Sequence, residues 1–352
     1  MKNQRLFSLL KNIETLDTIP EKKFIEWFEK NYETIEDTWA SYIFAELDKD
    51  KKSLLREIYE SLDSFKARLF ETWKEPLTRL DSLIYMSMEI VEEINTALRT
   101  PHRKNSTKLD TTTRLHARSV QVASEISHLL KGGFADGAMA RWRTLHETTV
   151  ILKFIAEGDE DLAERFSDYQ KIQRLSSAHK YNANNILNFE EITEEDIDKF
   201  TSEQNEILEK YEPYFKNKFG WAIKALNKPA KSNTKADFID IEKYTDLNFL
   251  RNHYSFANQY VHAGIDSIGY KLGTSMSRLD LLLTGPSNEG LFEPIQCTSL
   301  SLFHSASALI HAFPDDDRLL YIPVMWLWHE ALKKEGVTAS DALQKKGDEQ
   351  RD

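Results

Sequence analysis

A chain of 352 residues with a formal net charge of −11 is long enough for a substantial hydrophobic core and too acidic for strong non-specific nucleic-acid binding by the whole molecule. Apolar residues make up 41% and charged residues 29%, which excludes wholesale disorder; the 12 glycines and 9 prolines are few beside many helix formers, which favours an all-α protein. The single cysteine, Cys297, excludes an internal disulfide and a cysteine-built zinc site and suits a reducing cytoplasm.

The first residues, Met-Lys-Asn-Gln-Arg-Leu-Phe-Ser-Leu-Leu, lack the apolar core and cleavage site of a signal peptide. No stretch approaches the roughly 18 uncharged apolar residues that span a bilayer, so a cytoplasmic protein without membrane contact is expected. Residues 1–75 read as an N-terminal extension of short amphipathic helices, one starting after Pro20, with Trp27, Phe28, Trp39, Tyr42 and Phe44 as docking surface. The core, 76–335, opens with a helix from Pro76 to Arg99 that Thr100-Pro101 ends. His102-Arg-Lys-Asn-Ser-Thr-Lys108 and Lys224 to Lys235 are short basic segments that read as loops.

Helices over Thr113–Leu130 and Ala138–Ala156, joined through Gly132-Gly133 and a tight connection at Asp136-Gly137, make a long helical hairpin at the heart of a multi-helix bundle. A further helix covers 160–188, the acidic run Glu190–Asp198 starts another, and a third runs from about Thr245 to Ala263 until Gly264 stops it. Tyr270–Pro294 is the least regular part; helices at about 296–312 and 317–335 close the domain, and 336–352 reads as a disordered tail.

The helix from 245 carries the most informative pattern. Arg251, Ser255, Asn258 and His262 form one polar stripe at i, i+4, i+7 and i+11, beside the apolar row Leu247, Leu250, Tyr254, Ala257 and Val261. Asn258 and His262 are one turn apart, so the amide can orient the imidazole. Arg251 lies roughly 16 Å along the axis from His262, so it joins them only through an extended groove or a second subunit. The same pattern also suits a polar helix edge that hydrogen-bonds the bundle together. In Arg141-Trp-Arg-Thr-Leu-His-Glu147, Arg143 and Glu147 are spaced to pair, and their stripe runs into Val150 and Phe154. That half-buried pair is either an inter-helix clamp or a holder for an anionic group such as a phosphate, beside His146 or Glu147.

Glu125-Ile-Ser-His128 supplies half of a carboxylate-bridged metal motif whose other half is missing, and no phosphate-loop, dinucleotide, nucleophile-elbow or His-Glu-x-x-His signature occurs. No cofactor and no metal are therefore expected.

Arg141-Trp-Arg-Thr-Leu-His-Glu-Thr-Thr-Val-Ile, Leu162-Ala-Glu-Arg-Phe-Ser-Asp-Tyr169 and Tyr254-Ser-Phe-Ala-Asn-Gln-Tyr-Val-His-Ala-Gly264, in that order, resemble a bacterial domain-of-unknown-function family, the one numbered 5677, over roughly residues 80–310. That resemblance implies a fold but no activity. The chain is also similar, more loosely, to HEPN domains, helical bundles that often act as metal-independent ribonucleases in toxin and antiviral systems. Their hallmark is an Arg, commonly followed by a polar residue, with a His four to six residues on. Arg251-Asn252 has that beginning, but His262 lies too far along. Arg141 to His146 and Arg174 to His179 fit the bare spacing, which in a chain with 10 histidines also arises by chance.

Two functions of different class follow. One is a HEPN-like ribonuclease effector of bacterial defence or a toxin system, with His262 and Asn258 in acid–base work and Arg251, Arg143 and Glu147 around the phosphate. The other is a non-catalytic regulatory or protein-interaction module. The corresponding partners are RNA in a local groove, or a partner protein or second copy of the chain.

Overall fold

The computed structural model describes residues 21–99, 106–184, 186, 189–262, 268–276 and 282–349, with the side chains of 21–39 and of Tyr42 outside that description. The docking role given to Trp27, Phe28, Trp39 and Tyr42, the basic residues 102–105 and the stop at Gly264 lie outside the described residues. By its contacts the chain divides into two units, Met1–Arg68 and Leu69–Asp352.

A helix, α1, runs through Glu21–Leu98, where short helices and a fresh start at Pro76 were expected. No glycine interrupts it, and Pro76 sits inside it. An internal proline forfeits one backbone hydrogen bond, at a cost of about 3 kcal/mol. Here Pro76 is buried with Trp73, Leu77 and Leu80, which are fully enclosed, and their burial offsets that loss. In the first unit α1 is lined by local pairs such as Lys51–Asp48 and Lys66–Asp63, and Phe44, Leu55 and Tyr59 are exposed.

In the second unit the expected hairpin is present as α2 (Thr107–Lys131) and α3 (Ala135–Glu157). Ser106 caps α2 by accepting from the Leu109 N–H at 3.1 Å, and the Glu160 carboxylate accepts from Ser106 Oγ and the N–H groups of Thr107 and Lys108, placing an anion at a helix N-terminus. Gly133, at φ 80°, makes the turn; Asp136 and Gly137 belong to the first turn of α3 rather than to the connection.

Then come α4 (Glu160–Ala183), α5 (Glu194–Lys210), α6 (Phe238–Tyr244), α7 (Arg251–Val261), α8 (Phe292–Ala312), the short α9 (Asp316–Leu319) and α10 (Tyr321–Glu349). No strand occurs among the described residues, and the all-α multi-helix fold is as the composition indicates.

Residues 336–349 of the tail expected to be disordered are helical: α10 continues to Glu349. Gly336 and Ala339 are buried, and a Cβ on Gly336 would meet the Phe292 ring at 2.4 Å. A small residue there lets α10 close on α8, so a segment that is polar by composition still buries one face.

Two layers surround α3. On one side α2 and α8 pack against α3, and Trp142 Nε1 donates to Cys297 O and Ser301 Oγ, each at 3.0 Å. His116, fully buried, bridges three helices: Nε2 donates to the Ser87 carbonyl on α1 at 2.9 Å, which leaves Nδ1 to accept from Ser305 Oγ on α8 at 2.8 Å. On the other side α4, α5, α6 and the 211–223 segment pack Phe154, Leu162, Phe215, Trp221, Ile241 and Leu247 into a second cluster.

Burial pushes the His116 imidazole down to about 4, against the opposing hydrogen bonds of Ser87 and Ser305. His304 is also lowered to about 4, by burial and by nearby Lys153. Below about pH 6.5 the unfolded chain takes up protons that these folded histidines refuse, so stability falls as pH drops towards 4, by roughly 3 kcal/mol for His116 alone. The thermal midpoint should accordingly climb between pH 4 and 6.5; a flat profile over that window would contradict the neutral, buried assignment.

Candidate functional site

The expected 245–263 helix is interrupted at its start. Asp246 adopts a left-handed conformation (φ 55°), and Asn248–Leu250 form a tight single turn before α7 begins at Arg251. The Leu247 N–H reaches back to the Glu242 carbonyl at 3.1 Å, folding α6 against the start of α7. This places Glu242 and Arg251 together.

Glu242 is fully buried. Its Oε1 accepts from His146 Nε2 at 2.8 Å and its Oε2 from Arg251 Nη1 at 2.6 Å. His146 is also fully enclosed, between the rings of Trp142, Phe238 and Tyr254, and its Nδ1 is buried without a hydrogen-bond partner. A buried carboxylate is costly unless paired; here an imidazole N–H and a guanidinium complete its shell.

Above this triad, Arg143 Nε donates to Glu147 Oε1 at 3.1 Å, the pairing that the i, i+4 spacing indicates. Tyr254 donates its hydroxyl to the same Glu147 oxygen at 2.5 Å. The Arg143 and Arg251 guanidinium carbons lie 5.1 and 5.0 Å from the Tyr254 ring centroid. Burial and then Glu147 push the Tyr254 phenol up to about 12, so it keeps its proton as a donor. Burial works against the Arg143 charge, but Tyr254 and Glu147 outweigh it and raise its affinity for its proton.

The side chains of Arg143, Glu147 and Arg251 remain 27%, 37% and 35% exposed, so the upper part of the cluster meets solvent while the Glu242–His146 base does not. Each guanidinium has five N–H donors, more than its carboxylate uses.

Asn258 and His262 do not join this cluster. Asn258 Oδ1 is buried without a hydrogen-bond partner. His262 ends α7 in an extended conformation (φ −110°, ψ 144°), is exposed, and lines a separate cleft of about 570 Å³ with Asp136, Tyr260 and Lys271. Burial raises the Asp136 carboxyl, opposed by the N–H groups of Leu272 and Gly273.

Of the five sequence-level candidates the structure thus gathers Arg143, Glu147 and Arg251, and leaves the other two elsewhere. Sequence reasoning missed Glu242 altogether and took Tyr254 for a purely apolar position. Arg141, in the loose Arg-to-His spacing, is paired with Glu125 instead, and Arg174 with Glu203. Among the described residues no group of three or more His, Cys, Asp or Glu side chains is placed to hold a metal ion, and no helix is long and apolar enough to cross a membrane.

The fold and this charged cluster define an all-α helical domain organised round a long hairpin. Residues 110–278 match the model of the family described as a family of unknown function (DUF5677). The match includes all three sequence motifs and the whole cluster, and is narrower than the 80–310 suggested by the motifs. Comparison with curated proteins and with solved structures gave no match.

Removing the central carboxylate tests how far the cluster depends on it. Glu242→Ala leaves His146 sealed and Arg251 without its buried partner, and should lower unfolding stability by about 3 kcal/mol, the range for a broken buried pair. Glu242→Gln, which retains volume and one acceptor, should cost less. Denaturant unfolding reads both, and a loss below about 1 kcal/mol for the alanine variant would show the triad to be incidental.

Proposed function

We propose that the Arg143–Glu147–Tyr254–Arg251 cluster is a metal-independent phosphodiester site, and that the protein is a ribonuclease acting through it. The observation that supports this reading is the convergence of two partly exposed guanidiniums on one tyrosine ring beside a partly exposed carboxylate. Paired arginines suit the charge that builds on a phosphate during transfer. In this reading Glu147 takes a proton from a ribose 2′-hydroxyl.

In that reaction a bond forms between O2′ and phosphorus while the bond from phosphorus to the 5′-oxygen breaks, giving a 2′,3′-cyclic phosphate. The 2′-proton goes to Glu147, and the departing oxygen takes one from water. Tyr254 holds Glu147 in place, and Glu242 holds Arg251. His146 is too deeply buried to meet substrate and serves as a positioning residue through Glu242. His262 and Asn258, read from the sequence as acid–base candidates, have no part in this version.

The second reading, a module that binds a phosphate-bearing partner without cleaving it, is favoured by the engagement of Glu147, whose Oε1 already accepts from both Arg143 and Tyr254.

Incubating the full-length chain with a short RNA in a chelating agent separates the two. Cleavage should persist in the chelator, leave cyclic phosphate ends, fall at least 100-fold in Glu147→Gln with RNA binding retained, and survive His262→Ala. RNA held intact, with binding weakened in Arg143→Gln and Arg251→Gln, would favour the module. Cleavage that needs a divalent metal, or that Glu147→Gln leaves unchanged, would overturn the ribonuclease reading.

A further inference from the structure

A different face carries an open groove of about 890 Å³ between α2, the end of α3, α4 and the 218–221 segment, within the usual size range of small-molecule sites. Four aromatic side chains, Phe166, Tyr169, Phe219 and Trp221, contribute to its wall. The amides of Gln170 and Gln173 and the cations of Arg114 and Lys218 also line it.

The wall is built with unusual backbone. Phe219 is held at φ 53°, a left-handed conformation that bulky residues rarely adopt. The next residue must be glycine, because a Cβ on Gly220 would lie 2.1 Å from the Phe215 carbonyl oxygen. Tyr169 Oη donates to the Asn217 carbonyl at 2.8 Å, and Asn217 Nδ2 donates to the carbonyls of Ser232 and Thr234 at 2.9 and 2.7 Å. The segment is therefore fixed before any ligand arrives, and strain of this kind concentrates at binding sites. Edge-to-face contacts tie Trp221 to Phe166 at 4.8 Å, while Phe219 lies 6.4 Å from Trp221.

The charge at the mouth is positive on balance. Asp110 is shared between Arg114 at 2.7 Å and Arg99 at 2.5 Å, so one carboxylate faces two guanidiniums. Lys218 lies over the Phe219 ring, 5.6 Å from its centroid, and makes a solvent-exposed pair with Asp237 at 3.3 Å, which an anionic ligand can displace at little cost. Aromatic faces, amides able to read donor and acceptor edges, and cations at the rim together suit a planar heterocycle that carries a negative charge.

From this lining we infer that the groove binds a nucleoside phosphate, its base against the Phe219 wall and its phosphate beside Arg114 and Lys218. The site is distinct from the Arg143–Arg251 cluster and stands whether or not that cluster cleaves RNA.

Calorimetric titration of the full-length protein with AMP, adenosine and inorganic phosphate tests it. AMP should bind saturably, with adenosine and phosphate each weaker. Phe219→Gly, which removes the ring and suits the left-handed backbone, should weaken AMP roughly 10-fold or more, the size expected for a lost stacking partner. Gln170→Ala, at an exposed position that leaves the fold untouched, should weaken it measurably, and Arg114→Gln should reduce the advantage of AMP over adenosine. No AMP binding at about 1 mM, the weak end of specific recognition, would overturn the assignment. So would adenosine binding as tightly as AMP, or affinity unchanged in all three variants.

Discussion

Glu242 is the constraint on which the candidate site depends. A carboxylate with no solvent access needs its charge met inside the protein, and two groups far apart in sequence meet it. His146 comes from α3, and Arg251 opens α7. Satisfying that one side chain fixes the distance between α3, α6 and α7 and sets Arg251 beside Tyr254. Tyr254 in turn brings the Arg143–Glu147 pair into the same cluster.

The remainder of the second unit makes that arrangement rigid. Trp142, one turn before His146, is anchored to α8 through Cys297 and Ser301, so α3 cannot rotate without breaking buried hydrogen bonds. His116 ties α1, α2 and α8 together in the same manner. Both anchors use polar groups within a close-packed core, where an unmade hydrogen bond costs more than a made one gains. The α3 surface that carries Arg143, His146 and Glu147 is thereby held in one register against α7.

The fold class and the hairpin were legible in the sequence because they follow from local rules: sparse glycine and proline, helical spacing of Leu, Val and Ile, and a Gly132-Gly133 turn. The Arg143–Glu147 pair was legible for the same reason, since four residues is one helical turn. The continuity of α1 was not, because Pro76 is a breaker by local rules and is tolerated only through the burial round it. The helical end of α10 was missed because its anchor, Gly336 against Phe292, is a tertiary contact hidden in a polar composition. Glu242 was hidden more completely. It lies 96 residues from His146, and nothing in the short α6 sequence marks it apart from a surface acid. His262 and Asn258 were grouped with Arg251 on the strength of one polar stripe, although its length of roughly 16 Å along the axis already set Arg251 apart from His262.

Nuclear magnetic resonance of the arginine side chains offers the most direct measure of whether Glu242 builds a two-arginine phosphate site. A 2′-deoxy dinucleotide, which presents the phosphodiester but cannot be cleaved through a 2′-hydroxyl, would be titrated into the full-length chain. The Nε–Hε signals of Arg143 and Arg251 should shift together along one saturation curve, and that common response should disappear in a folded Glu242→Gln variant. Signals that stay in place to saturation, or a shift in only one of the two arginines, would contradict the account.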